Sequence, residues 1–362
     1  MRIALTAGGT GGHIFPAFSV LDALEAKLGG DLEVAFFGPE NRGERAIVEA
    51  RGLRFVSIPA AGLRGRGPLG LVRSAWRLSS GMVMAVRRLR AFRPDAVFST
   101  GGYASFPASV AARVLRKPLV VFLPDVSPGW AVRAEQRLAT RMATTTDAAL
   151  QYLPAKKTVV TGYPVRAAFG TSREEARARL GIPKGAKLLL VAGASQGASA
   201  INQAIFKSLA EIARESWVIH VTGSADLGEA MAQRTALSGE LAERYLPAAF
   251  RDDLPLAMKA ADLAVMRAGA SVLGEIPAAR LPAILVPGTF AGGHQRDNSG
   301  WLEEHGAALT VEEEQLGTLA GTVQALMRDD VRLARMRAAA WELDRPGAAY
   351  EIAELVMEVA RR

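Results

Sequence analysis

Short apolar runs alternate with amphipathic stretches along the first third of the chain. The runs at residues 3–7, 34–37, 55–58, 96–99 and 119–123 have strand length, and helical periodicity fills the intervals. Strands alternating with helices predict βαβ units, hence an α/β fold with a parallel sheet covered on both faces. After residues 158–166 the pattern pauses. It restarts at Ser172-Arg-Glu-Glu175, whose Ser-x-x-Glu spacing opens a helix as a capping box. Further strands are expected at 187–192, 217–222, 263–266 and 283–287, forming a second parallel sheet. Helices are expected at 312–327, 331–343 and 348–361, with Pro346 and Gly347 breaking the last two so that the final one can turn back onto the first domain.

A weak internal repeat links the halves. Ala7-Gly-Gly-Thr-Gly-Gly12 and Ala192-Gly-Ala-Ser-Gln-Gly197 each follow an apolar strand and precede a helix. Two facing Rossmann-like domains follow, divided between residues 163 and 164, with 345–362 returning to the first. At 362 residues the chain is long enough for two domains of roughly 150 residues.

Glycines at such turns let backbone N–H groups and a helix end approach an anion. Gly8-Gly-Thr-Gly-Gly-His13 is therefore a phosphate-type site or a tight turn without ligand. It lacks the Lys-Ser/Thr of a Walker loop and the spacing of a dinucleotide fold. His13 beside it either activates an acceptor as general base or is structural or binding. Ser99-Thr-Gly-Gly-Tyr103 forms a second glycine turn, where Tyr103 touches substrate or is a rim aromatic. In the second half, Ser195 and Gln196 lie in the equivalent turn. Arg166 can neutralise a diphosphate or form an interdomain salt bridge. Glu275 can accept from a ribose diol or be a solvated helix residue. Gln295 and Asn298 offer polar groups to sugar hydroxyls.

Charge narrows the reading. The net charge is +8, yet residues 51–94 hold ten Arg and no Asp, Glu or Lys, so the remainder carries a net −2. Within that window Leu69, Val72 and Trp76 stand near helical spacing beside Arg73 and Arg77. They suit an anionic membrane surface, or a helix that buries its apolar face in the core. The window lacks the interleaved aromatics of an RNA-binding module, so no nucleic-acid partner is expected. Cysteine is absent, Asp-x-Asp is absent and the four His are scattered, so no metal or other cofactor is expected. The opening Arg2-Ile-Ala-Leu-Thr lacks a signal-peptide pattern, and no apolar run reaches the 18 or so residues of a spanning helix, so a cytosolic protein is expected.

With these residues in place, the chain resembles the MurG family of bacterial glycosyltransferases, which add N-acetylglucosamine from UDP-N-acetylglucosamine (UDP-GlcNAc) to lipid I, giving lipid II. The resemblance runs over nearly the whole chain. It rests on Gly8-Gly-Thr-Gly-Gly-His13-Ile-Phe-Pro16, Gly101-Gly-Tyr103, Gly162-Tyr-Pro-Val-Arg166, Ser195-Gln-Gly197, Arg267-Ala-Gly-Ala-Ser271 with Glu275, and His294-Gln-x-x-Asn298. It implies a GT-B fold with a deep interdomain cleft, an N-terminal acceptor and membrane-binding domain, and a C-terminal donor domain. Thr10, Gly11 and Gly12 would contact the donor, with Arg166, Ser195 and Gln196 at the diphosphate and Arg251 by the uracil. Ala270, Ser271, Val272, Leu273, Gly274 and Glu275 would run along the nucleotide, Glu275 on the ribose, and Gln295 with Asn298 would face the sugar.

The resemblance further implies metal-independent, inverting transfer, a peripheral location on the cytoplasmic face of the cell membrane, and contact with other cell-wall synthesis proteins. His13, Asp125 and Tyr103 are the catalytic candidates. One segment departs from the family: Leu123-Pro-Asp125 stands where Glu-Gln-Asn is common. A carboxylate at Asp125 accepts hydrogen bonds but cannot donate as an amide does, and is itself a second candidate base. Another lipid glycosyltransferase, or a UDP-GlcNAc 2-epimerase, would share the donor-side motifs.

Overall fold

A computed structural model describes residues 1–8, 11–39, 44–60, 68–193, 197–288 and 293–361, with residues 11 and 68–78 described in the backbone only. The chain forms two compact units: Met1–Val165 joined by Pro346–Arg362, and Arg166–Arg345.

The first unit runs β1 (Arg2–Thr6), α1 (Gly11–Leu28), β2 (Glu33–Gly38), α2 (Glu44–Ala50), β3 (Arg54–Ser57), α3 (Pro68–Phe92), β4 (Ala96–Ser99), α4 (Phe106–Val114), β5 (Leu119–Leu123), α5 (Trp130–Leu138), β6 (Arg141–Thr144) and β7 (Thr158–Val160). The second runs α6 (Arg173–Arg179), β8 (Leu188–Ala192), α7 (Ser199–Phe206), α8 (Leu209–Glu215), β9 (Trp217–Val221), α9 (Leu227–Ala236), α10 (Glu240–Arg244), β10 (Tyr245–Ala248), α11 (Leu254–Ala260), β11 (Leu263–Arg267), α12 (Val272–Ala279), β12 (Ala283–Val286), α13 (His294–Glu304), β13 (Ala308–Thr310), α14 (Leu319–Arg328) and α15 (Asp330–Glu342). The last helix, α16 (Ala348–Ala360), returns to the first unit and packs on α1.

Both sheets are parallel. Among the described residues the strand orders are β3-β2-β1-β4-β5-β6-β7 and β10-β9-β8-β11-β12-β13. The central strands β4, β5, β8 and β12 are buried at every position, as a sheet covered on both faces requires. In each unit the order reverses at the first strand, between β1 and β4 and between β8 and β11. A doubly wound sheet opens its ligand crevice at such switch points, beyond the strand carboxyl ends.

Strands β6, β7, β10 and β13 were absent from the expected set. Each has only three or four residues and contains Arg, Thr or Pro, so neighbouring strands supply the pairing that their own pattern does not announce. The single helix expected at 312–327 is divided into a 3-10 turn at Glu313–Thr318 and α14, with Gly317 weakening the helix where the two meet. The capping box opens α6 as expected: Ser172 Oγ accepts from the Glu175 N–H at 3.1 Å.

The described half of α3 buries Gly81, Ala85, Leu89 and Phe92 and exposes Val83, Arg87 and Arg90. Gly81 is the point of closest approach. A Cβ there would stand 1.9 Å from the Pro59 carbonyl oxygen, which is backbone and cannot swing aside. Gly81→Ala is therefore expected to destabilise the first unit by about 2 kcal/mol or more, the upper range of overpacking, read as a lower urea midpoint, whereas Arg87→Ala on the exposed face leaves it within about 0.5 kcal/mol.

Candidate functional site

Two glycine turns meet at the switch point of the first unit. Gly8, after β1, and Gly102, after β4, are in backbone contact: a Cβ on Gly102 would lie 2.5 Å from the Gly8 Cα, and one on Gly8 would lie 2.8 Å from the Gly102 Cα. Gly101 and Gly102 also have φ of +79° and +89°, which side chains rarely adopt. This close approach joins His13 to the second turn. His13 Nδ1 lies 2.8 Å from the Thr100 carbonyl oxygen, and Thr100 Oγ1 donates to the His13 carbonyl at 2.8 Å. A carbonyl only accepts, so Nδ1 carries the proton and the lone pair of the neutral ring stands on Nε2. The first turn of α1 is held from the other side, where the Tyr163 hydroxyl donates to the Gly12 carbonyl at 3.0 Å.

A buried carboxyl lies beneath the second turn. Glu135 of α5 is 0% exposed and accepts from the hydroxyls of Ser109 at 2.7 Å, Ser105 at 2.8 Å and Ser99 at 3.2 Å. Ser99 Oγ accepts from the Gly101 N–H at 3.1 Å, and Ser105 Oγ reaches the Gly102 carbonyl at 2.7 Å. Burial pushes the Glu135 carboxyl up to about 7, against the lowering effect of the three serines. Sequence reasoning missed Glu135 because a charge among arginines reads as solvated. The available signal was its spacing from Ala131 and Val132, which puts it on the apolar face of α5.

In the second unit the turn after β8 instead approaches the chain leaving β9. Gly197 has φ +82°, and a Cβ there would lie 2.2 Å from the Thr222 carbonyl oxygen. Behind it runs a closed polar chain. The His220 ring takes one hydrogen bond with Tyr245 Oη at 2.9 Å through Nδ1 and one with Asn202 Oδ1 at 2.9 Å through Nε2. Asn202 Nδ2 donates to the Thr222 carbonyl at 2.8 Å and to Asp226 at 2.7 Å, and Ser199 Oγ also donates to Asp226 at 2.7 Å. Asn202 Oδ1 only accepts, so His220 carries its proton on Nε2 and takes the Tyr245 proton on Nδ1. Burial lowers His220 to about 3 and raises the Tyr245 hydroxyl.

Arg166 and Glu275 meet in this unit, Nη2 to Oε1 at 3.5 Å. Glu275 is 8% exposed, so it is no solvated helix residue. Burial raises its carboxyl, while Arg166 and a hydrogen bond from Ser271 lower it. Val272 and Leu273 have core side chains, and their N–H groups bond to the Gly269 and Ala270 carbonyls; Gly274 N–H bonds to Ser271. Ala270 and Ser271 keep exposed surface. Arg251 is held by Asp253 through bonds of 2.8 and 2.6 Å, and Phe250 beside it is 58% exposed, an aromatic that sequence reasoning left out.

Gln295 Oε1 accepts from the Gly288 N–H at 2.8 Å. Asn298 is fully buried and donates to the Ala268 carbonyl at 3.1 Å, which supports the turn after β11. Tyr103 and Asp125 are half-buried at the carboxyl ends of β4 and β5. Thr10, Ser195 and Gln196 lie outside the described residues, as do the side chains of Leu69, Val72, Arg73, Trp76 and Arg77. Gly11 is the first residue of α1. Among the described residues no group of three or more His, Asp or Glu is arranged to hold a metal, and no helix is long and apolar enough to cross a membrane.

Residues 3–144 match the glycosyltransferase family 28 N-terminal domain and residues 188–355 its C-terminal domain. The fold is thus that of a two-domain glycosyltransferase. A relative from Symbiobacterium thermophilum, named UDP-N-acetylglucosamine--N-acetylmuramyl-(pentapeptide) pyrophosphoryl-undecaprenol N-acetylglucosamine transferase, is 34% identical over 100% of this chain and 97% of its own length. The chain belongs to this transferase family. A crystal structure of Acinetobacter baumannii MurG superposes with a TM-score of 0.75 at 23% identity, covering 99% of both chains. A Neisseria meningitidis UDP-GlcNAc 2-epimerase bound to UDP-GlcNAc gives 0.67 at 12% identity, over 99% of this chain and 100% of the epimerase. Shared fold alone therefore does not choose between transfer and epimerisation. The full-length identity places the chain among the transferases.

Glu135 and His220 carry opposite pH signatures. Folding raises Glu135 from 4.5 to about 7, so the folded chain binds the extra proton and stability falls as pH rises across that window, by a few kcal/mol in all. Folding lowers His220 from 6.5 to about 3, so its contribution is present above pH 6.5 and is lost as pH falls towards 3. Thermal unfolding between pH 4.5 and 7.5 checks this: Glu135→Gln removes a component that weakens with rising pH, and His220→Gln removes one that weakens with falling pH.

Proposed function

We propose that this chain transfers N-acetylglucosamine from UDP-GlcNAc to the 4-hydroxyl of the N-acetylmuramoyl group of lipid I, producing lipid II, with inversion and without a metal. Membership of the transferase family supports the reaction, and the fixed Nδ1–H tautomer of His13 supports the mechanism. The first unit takes the acceptor and the second takes the donor. Nε2 of His13 removes the hydroxyl proton as the oxygen attacks the anomeric carbon from the face opposite UDP, so an α-linked donor gives a β-linked disaccharide.

Arg166 neutralises the negative charge that develops on the leaving diphosphate, and Glu275 accepts from the ribose hydroxyls. Backbone N–H groups of Ala270 and Ser271 and the exposed ring of Phe250 serve the nucleotide, with Arg251 beside the uracil. Gln295 spends its oxygen on Gly288 and offers its NH2 to the sugar. Tyr103 contacts the acceptor. The arginine-rich face of α3, with Val83 among Arg87 and Arg90, holds the protein on the anionic cytoplasmic membrane surface where an undecaprenyl substrate resides.

Asp125 is the second candidate base, favoured by its half-exposed position at the carboxyl end of β5, next to β4. Transfer from radiolabelled UDP-GlcNAc to a lipid I analogue in anionic vesicles, with EDTA present, tests the reading. Chelator-resistant β-linked product is expected; transfer only to another acceptor overturns it. His13→Ala is expected to lower kcat by about 10²–10⁴-fold, the usual loss of a general base, with Asp125→Asn costing less. The reverse order assigns the base to Asp125. Arg166→Ala and Glu275→Ala are expected to raise the donor KM by about 10-fold or more, with the acceptor KM unchanged.

A further inference from the structure

We propose that Glu135 is a positioning residue for the acceptor side of the reaction, holding from beneath both ends of the Thr100–Ala104 turn and, through Thr100, setting the ring of His13. This rests on the reading of His13 as base in the acceptor unit. Glu135 touches no part of the crevice itself. Its three serines bracket the turn: Ser99 precedes it, Ser105 closes it, and Ser109 lies one helical turn further along α4. Ser99 passes the constraint to the Gly101 N–H at 3.1 Å, and Ser105 passes it to the Gly102 carbonyl at 2.7 Å. Thr100 between them makes both hydrogen bonds to His13 and donates its own N–H to the Thr6 carbonyl at 3.1 Å. A shift of this turn therefore moves the carbonyl that selects the His13 tautomer.

A role in packing alone fits poorly. Ala131 and Val132 share the same buried face of α5, and an apolar side chain at 135 would fill that space without a desolvation cost. Hydrogen counting points the same way. Ser105 has one hydroxyl proton and two acceptors within 2.8 Å, the Gly102 carbonyl and Glu135 Oε1. With Glu135 charged, the Ser105 hydroxyl donates to it; with Glu135 protonated and donating to Ser105 Oγ, the Ser105 proton turns to the Gly102 carbonyl, which also accepts the Ser105 N–H at 3.3 Å. Glutamine preserves both a donor and an acceptor at this position, and leucine preserves neither.

The test compares Glu135→Leu and Glu135→Gln with the parent by steady-state kinetics in each substrate, UDP affinity by calorimetry, and ¹⁵N signals of the His13 ring assigned with His13→Gln. For Glu135→Leu, kcat/KM for lipid I is expected to fall at least tenfold, with the donor KM and UDP affinity within twofold. The His13 signals are expected to leave the Nδ1–H pattern. Glu135→Gln is expected to restore the acceptor kcat/KM and the His13 signals to near parental values. A folded Glu135→Leu protein with parental acceptor kinetics and parental His13 signals overturns the proposal. Should Glu135→Leu not fold, Ser105→Ala carries the same comparison, a several-fold acceptor-specific loss being expected and no change overturning it. If the parent itself fails to use lipid I, the functional reading falls separately, and the His13 signals of the two Glu135 variants still decide the role of Glu135.

Discussion

Two backbones that touch where no side chain can intervene organise the first unit. Gly8 and Gly102 come from turns 94 positions apart in the chain, yet each occupies the space that a Cβ on the other would need. Strand pairing between β1 and β4 brings the turns side by side, and the absence of Cβ lets them close. Everything chemical at this switch point depends on that closure. It brings Thr100 to His13, fixes the protonated nitrogen of the ring, and leaves the other nitrogen as the free lone pair. A methyl group at either glycine would separate the turns and release the histidine.

Closely approaching turns need rigid support, and the two units supply it in different currencies of polarity. The first uses a buried carboxyl that gathers three serine hydroxyls beneath its turn. The second uses a neutral histidine in a relay from Tyr245 through Asn202 to Thr222 and Asp226. Each network is costly to bury and each is satisfied by hydrogen bonds, which is the condition under which buried polar groups define a single geometry. Both lie behind the glycine turns of their units. Two residues expected to meet the sugar also hold backbone groups: Asn298 donates to the Ala268 carbonyl, and Gln295 accepts from the Gly288 N–H.

Much of the fold was legible because parallel strands buried on both faces must be apolar throughout. Such runs as 119–123 and 188–192 stand out against amphipathic neighbours. The strands that escaped notice are short, and their pairing partners decide them more than their own residues do. Glycine turns, the capping box at Ser172 and the full set of family motifs were equally plain, since each depends on local backbone chemistry or on residue order. The burial of Glu135 and His220 was not, because whether a polar side chain is solvated depends on what packs over it.

The sequence by itself determined the α/β class, the two-part organisation of glycine turns after first strands, the concentration of arginine in one window and the likeness to a lipid-sugar transferase family. These follow from periodicity, composition and order, which need no contact between distant residues. Only the tertiary structure decided which nitrogen of His13 is available, that Arg166 meets Glu275 within one unit, that Asn298 faces inward and that Glu135 sits below the Thr100–Ala104 turn. Hydrogen-bond partners separated by tens of residues settle each of these, and a hydrogen bond is set by distances that exist only once the sheets have formed.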